Sequence, residues 1–338
     1  PKPETTTSFE TGLDVWLFDN KFNFDITYYN STLRNQFLYV STANGESKPV
    51  NTGKIRNYGL EFSAGYRWNI NHDWRWQTGF NFAWNDNRIL ETYKTESGAP
   101  YIVEMGTNAF KIKYIEGGRY GDIYVNSFAR DENGHIKING AGDYENAVPV
   151  MESGKYETYV GNTTSPVTLG WNNTFSWKNF NLYFLIDGRI GGKVMSLTEP
   201  DLDLFGLSER SAHDRLKGER VTQNGKEYVL KELPDGSGNK VPVENYYTTI
   251  GAYPMEDHVY NATNLRMRDI SLSYNFSNLL GKNTGLTAQF SIKNAFFIYK
   301  DSPIDPDISV SAANGYSGID CYSLPTTRSY ALTLKFNF

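Results

Sequence analysis

The chain has 338 residues, a formal charge of -5 and an aromatic fraction of 15%. With a mean hydropathy of -0.53 it holds no apolar run of the roughly 18 residues that a spanning helix needs, so a helical membrane protein is excluded. A pI near 5.5 without a basic stripe excludes nucleic acid as a partner. A single cysteine, Cys321, rules out an internal disulfide, and the scattered His72, His135, His213 and His258 lack zinc-ligand spacing, so no metal, cofactor or catalytic residue is expected. The chain starts Pro1-Lys-Pro-Glu with neither Met nor a signal peptide, which reads as part of something longer.

Period-two alternation runs through most of the sequence, and it predicts strands in pairs. Phe9, Thr11, Leu13, Val15 and Leu17 share one face, and after Asp19-Asn20 the pattern resumes with Phe22, Phe24, Ile26 and Tyr28. A second pair runs from Tyr58 to Trp68 and from Trp74 to Trp84, with a turn at Asn69–Asp73. A third uses Val167 to Trp177 and Leu182 to Ile190 around Lys178-Asn179. A fourth places Ile270, Leu272, Tyr274 and Phe276 before Leu286, Ala288, Phe290 and Ile292, and the parity break at Leu265 and Met267 predicts a bulge near Arg268. The last strand, Ser329 to Phe338, has Tyr330, Leu332, Leu334, Phe336 and Phe338 on one face and Lys335 on the other.

Between the pairs lie long connections, Tyr39–Lys54, Leu90–Ser165, Leu197–Ala262 and Asp301–Thr326, while Asn20, Asn71, Asn179 and Gly281 mark short turns. Short turns at one end and long loops at the other are the habit of outer-membrane barrels, whose spanning strands need about 9 to 11 residues. Glu10, Asp14, Asp25, Glu61, Arg67, Arg75, Asp187, Arg189, Lys293 and Lys335 all fall opposite the apolar stripes, as a polar lumen requires. Trp68, Trp74, Trp76 and Trp177 crowd the short-turn side like an interfacial girdle. A soluble β-sandwich shares the alternation, so a carbohydrate-binding module or a surface glycan-degrading enzyme stays open on periodicity alone.

Three stretches carry a family likeness: Asn51-Thr-Gly-Lys-Ile-Arg-Asn57-Tyr-Gly-Leu-Glu61, Asn264-Leu-Arg-Met-Arg-Asp-Ile-Ser-Leu-Ser-Tyr274, and Lys293-Asn-Ala-Phe-Phe-Ile-Tyr-Lys-Asp-Ser-Pro-Ile-Asp305-Pro-Asp307. In this order the chain resembles the C-terminal part of SusC/RagA-like TonB-dependent transporters of Bacteroidota outer membranes. The resemblance implies an all-β transmembrane antiparallel barrel of about 22 strands, of which residues 1–338 supply about the last nine. It also implies import of oligosaccharides or oligopeptides across the outer membrane with a SusD-like lipoprotein, and coupling to the TonB complex through a plug and TonB box upstream. By the same analogy Tyr330, Leu334, Phe336 and Phe338 form the signal read by the barrel-assembly machinery.

The loops hold the site candidates. Tyr246, Tyr247, Tyr253 and Tyr260 offer ring faces and hydroxyls to a sugar, a peptide or the lipoprotein lid, and Ser208 is placed to cap a short helix over Glu209–Leu216. Asp305 and Asp307, with Asp301 and Asp320, are candidates for a cation or sugar hydroxyls. Ser237-Gly-Asn-Lys240 has a Ser-x-x-Lys spacing but sits in a turn cluster, and Asp131-Glu-Asn-Gly134 and Asn224-Gly225 read as hairpin turns.

Overall fold

The computed structural model describes residues 2–337 apart from 42–46, 96, 153, 253–254, 278–283 and 311–316. Nine long strands form its wall: β1 (Thr5–Leu17), β2 (Phe22–Ser41), β3 (Ser47–Asn69), β4 (Trp74–Glu91), β5 (Val167–Trp177), β6 (Phe180–Ile190), β7 (Asn264–Ser277), β8 (Gly285–Lys300) and β9 (Ser329–Asn337). They make one continuous antiparallel sheet in sequence order, each strand bonded to its neighbours in the chain. This matches the strand count and pairing expected from the periodicity, and nine strands in one sheet in sequence order are not the two facing sheets of a sandwich. Among the described residues no helix is long and apolar enough to cross a membrane, which says nothing of strands.

Register keeps the apolar stripes together. Leu13 pairs with Ile26, Ile26 with Phe62, and Phe62 with Phe82, so one row of apolar side chains crosses four strands. Toward the short-turn end the row becomes aromatic. Tyr66 lies 6.3 Å from Trp76, Trp74 stacks on Trp177 at 5.6 Å, and Phe180 meets Tyr274 at 4.5 Å. The expected girdle is thus a connected band across β3 to β7.

The short turns fall where the sequence puts them. Phe18, Asp19 and Asn20 all take positive φ, and Lys178 does so at the third turn. Gly281 lies outside the described residues.

The first long connection is different. Alternation and pairing continue past Tyr39 to Ser41 opposite Ser47, so Tyr39–Lys54 is a hairpin extension and not a long loop. Asn35, at φ 57, opens a bulge where the register shifts around Gln36, which lets the extension bend without breaking the ladder. With 20, 23 and 18 residues, β2, β3 and β4 also exceed the expected spanning length and project beyond any bilayer.

The other three connections fold into a layer at the long-connection end. One buried apolar cluster gathers Val103, Phe110, Ile112, Ile123, Val125, Met195 and Ile319 around Ile55 and Ile89, which the projecting β3 and β4 deliver. A second holds Phe128, Ile136, Leu233, Val241, Tyr246, Tyr247 and Ile250. By contrast, apolar side chains on interior strands of the wall stay open, Trp171 at 40%, Leu182 at 37%, Leu272 at 51% and Phe290 at 48%, while Tyr330, Leu332, Leu334 and Phe336 lie on the edge strand β9, exposed on both faces, and Phe338 is outside the described residues. The layer has a protein core, and the wall's apolar face is left for lipid.

On this division Leu332→Arg, mid-way along β9 on the apolar face, should cost about 2 to 4 kcal/mol in reversible urea unfolding in lipid vesicles. Thr333→Arg on the polar face should leave the midpoint unchanged; equal losses would mean that the two faces are wrongly assigned.

Candidate functional site

Two polar assemblies organise the loop layer. The first begins at a bulge. Leu185 pairs with Asp269 and Ile186 with Met267, so Arg268 is an extra residue in β7. Without it Arg266 and Arg268 would follow Ile270 onto the apolar face. With it, both guanidinium groups reach the polar face and meet the loop after β8.

Arg266, only 1% exposed, donates to Asp305 Oδ1 at 2.7 Å and lies 3.1 Å from Asp307 Oδ2, with its guanidinium 4.0 Å from the Phe297 ring centroid. Arg268 donates to Asp187 at 2.6 Å, to Asp307 at 2.7 Å and to Asn294 Oδ1 at 3.0 Å. Arg189 adds a contact to Asp307 at 3.5 Å. Burial pushes the Asp305 carboxyl up, but donation from Thr326, from the Asp307 amide and from Arg266 outweighs it and holds the group below its usual range. The Asp305-Pro-Asp307 segment is therefore latched to the inside of the wall.

The second assembly is a cleft of about 500 Å³ in the third long connection. Three helices build it: α1 (Glu199–Leu204), α2 (Glu209–Lys217) and α3 (Val243–Ala252). The Ser208 hydroxyl accepts from the Ser211 amide and caps α2 as the sequence predicts. That start places Arg210 and Asp214, one turn apart, on the cleft side.

Arg210 is the hub. It bonds Asp203, whose side chain is fully buried, approaches Glu199 at 3.5 Å and Asp257 at 3.7 Å, and reaches His258 Nε2 at 2.7 Å. Burial pushes Asp203 up, yet hydrogen bonds from His258, Arg210 and Ser208 hold it below its ordinary value. Asp214 is likewise held low against burial by Lys231 and Tyr247, at 2.6 and 2.7 Å.

The tyrosines predicted here sit inside this network. Tyr246 and Tyr247 are 1% and 3% exposed, and their hydroxyls donate to Asp257 and Asp214, both at 2.7 Å. Tyr260 donates to Glu199. Burial first, then the adjacent carboxylates, pushes all three phenols well above their usual pKa. Tyr253 is outside the described residues.

The four loop aspartates do not share one site. Asp305 and Asp307 are on the arginine latch, Asp301 accepts from Tyr299, and Asp320 accepts from Ser196 at 2.9 Å. Ser237 donates its hydroxyl to Asp235 at 2.6 Å, so the Ser-x-x-Lys spacing is turn geometry. Asn224-Gly225 is the two-residue turn between Gln223 and Lys226, and Asp131 closes another by accepting from the His135 amide at 2.9 Å. The hub itself, Arg210 with Asp203 and His258, is what sequence reading misses, because its members lie 7 and 48 residues apart with no motif around them.

Residues 2–187 match the family of TonB dependent receptor-like β-barrels. The chain belongs to this family. It is a β-barrel wall of the outer membrane, so the short turns face the periplasm and the latched loop layer faces outward. Over its whole length it is 24% identical to TonB-dependent receptor P3 of Formosa agariphila and 24% identical to TonB-dependent receptor SusC of Bacteroides thetaiotaomicron. It spans 34% and 32% of those two receptors. Among solved structures it resembles the RagAB peptide transporter, with a TM-score of 0.70 and 18% identity, over 99% of this chain and 35% of that one. The nine-strand wall and its loop layer are thus a shared fold.

Arg210→Met should cost the loop layer about 3 to 5 kcal/mol, because it strands buried Asp203 without its cation. The expected sign is protease cleavage within residues 191–263 while the wall strands stay protected. Acid should act on the same layer. Asp203, Asp214 and Asp305 have folded pKa values below the usual 3.8, so their contribution is complete above that pH and is lost as pH falls through the lower folded values. Glu256, raised by burial, works in the opposite direction. Loop cleavage by an acid-active protease should therefore rise below about pH 4; a flat profile would contradict the network.

Proposed function

We propose that this wall belongs to a TonB-dependent importer that takes up oligosaccharides or oligopeptides too large for porins, together with a SusD-like surface lipoprotein. The observation that carries the reading is the likeness to the RagAB peptide transporter over 99% of this chain, with a polar inner face beneath a folded outer layer. The relatedness to receptor SusC supports the same class. On this reading the lipoprotein captures substrate at the outer face, and a plug upstream moves aside when the TonB complex pulls. The choice between glycan and peptide stays with the loop layer and the lipoprotein.

The site candidates take different parts. Tyr246 and Tyr247 are buried, so their role in capture is to hold the α1–α3 cleft in shape rather than to stack on a sugar. Asp305 and Asp307 fix the height of the last outer loop above the lumen through the arginine latch. Tyr260, half-buried at the cleft wall, and the cleft's carboxylates are the groups nearest an arriving substrate. Tyr330, Leu334 and Phe336 present an uninterrupted aromatic and aliphatic edge to the assembly machinery.

The full-length receptor should stay with the outer membrane until detergent is added and should migrate heat-modifiably. A strain lacking it should lose growth on one class within a panel of glycans and peptides. Release into detergent-free buffer, or undiminished growth on every member of the panel, would sink the importer reading.

A further inference from the structure

Lys231 lies in the strand Lys226–Glu232 of the third connection, which joins the interior wall strands β6 and β7, and it lines the cleft between α1, α2 and α3. Its ammonium is held by one carboxylate and two rings. Asp214 Oδ2 is 2.6 Å away, the Tyr246 ring centroid 4.9 Å and the Tyr247 ring centroid 5.5 Å. The Tyr247 hydroxyl donates to the same Asp214 oxygen at 2.7 Å, which fixes that ring beside the carboxylate. A carboxylate flanked by two aromatic faces is a seat for an alkylammonium ion.

The arginine and the lysine of the cleft differ in how firmly they are held. Arg210, 5.8 Å from the Tyr247 ring, serves Asp203, Glu199 and Asp257 together, and the Asp203 side chain is fully buried. Among the described residues Lys231 pairs with Asp214 alone, and both side chains are 23% exposed. A part-exposed pair of this kind is weakly held, and the ammonium rides on a flexible four-carbon stem. Beside it the cleft opens to about 500 Å³, with Glu199, Glu209 and Asp257 further along its walls. Removing Arg210 strands a buried carboxylate, whereas removing Lys231 opens a seat that another ammonium can fill.

We propose that the cleft takes the side-chain ammonium of a lysine in an oligopeptide substrate, which displaces Lys231 from Asp214 and from the faces of Tyr246 and Tyr247. Lys231 is then an internal occupant that keeps the seat formed until substrate arrives. The two tyrosines still hold the cleft in shape; what changes is which ammonium lies over them. A lysine fits better than an amino sugar, because its straight apolar stem follows the path that the Lys231 stem takes past the rings, and an amine on a sugar ring has no such stem. The inference rests on the importer reading and deepens it, since it selects peptide over glycan.

The test is calorimetric titration of the detergent-solubilised full-length receptor with the tripeptide Gly-Lys-Gly, its Nε-acetylated form and a glucosamine trimer. The free tripeptide should bind and the other two should not. An internal competitor lowers apparent affinity by the fraction of time it holds the seat, so Lys231→Met should tighten tripeptide binding about five-fold. A merely structural lysine would leave binding unchanged or weaken it. Asp214→Asn keeps an acceptor for the Tyr247 hydroxyl and should weaken binding about five-fold. Protection of residues 191–263 from protease checks that both variants are folded. Weaker or unchanged binding in Lys231→Met, or equal binding of the acetylated peptide or the glucosamine trimer, would overturn the proposal. The importer reading fails separately: growth lost only on glycans would refute the lysine seat and leave import standing, while tripeptide binding with growth undiminished on the whole panel would do the reverse.

Discussion

Hydrocarbon offers a peptide group no hydrogen-bond partner, and this one constraint shapes the wall. Every strand at membrane depth must be bonded to its neighbour along its length, so the nine strands run in sequence order with registers that shift only near their outer ends. Pairing at period two then sorts side chains without further instruction. Leu13, Ile26, Phe62 and Phe82 fall in one row on the lipid side, and Asp14, Asp25, Ser63 and Asn81 fall in the next row on the inner side. The turns on the periplasmic side can be short because the strands they join are already adjacent.

Above the bilayer the constraint relaxes, and the chain uses that freedom at defined points. Bulges at Asn35 and Arg268 both lie toward the outer ends of their strands. The second changes which residues face inward. One extra residue turns Arg266 and Arg268 from the lipid side to the lumen side, where Asp187, Asp305 and Asp307 wait for them. The same insertion sends Met267 and Leu265 to the lipid side, so the stripe continues. A local irregularity in β7 thereby couples the wall to the loop that leads into the final strand.

Strand number, pairing and the bulge were legible because each depends on neighbours in sequence: alternation, a turn residue, a break in parity. Tyr39–Lys54 misled because Asn, Gly, Ser and Pro carry loop composition, while Phe37, Tyr39 and Val50 still keep strand alternation. The loop layer was legible only in fragments such as the Ser208 cap and the Asn224-Gly225 turn. Tyrosines in a long polar connection read as exposed, and nothing local shows that Asp257, Asp214 and Glu199 will receive their hydroxyls from 11, 33 and 61 residues away. Contacts at that separation follow from how the layer packs, and packing has no period.

Buried ion pairs such as Arg210–Asp203 are a poor way to gain stability, since desolvation offsets most of the attraction. Their presence here fits a demand for one arrangement rather than for depth of the energy well. Two modest apolar clusters would allow the helices α1 to α3 to slide over one another, because apolar contact is not directional. A fully buried carboxylate that loses its guanidinium is penalised heavily, so Arg210 admits a single register of α2 against α1 and the Met255–His258 turn. The arginine latch imposes the same discipline where the last loop meets the wall. Together they hold the loop layer in one arrangement above the wall, where apolar packing by itself would leave several.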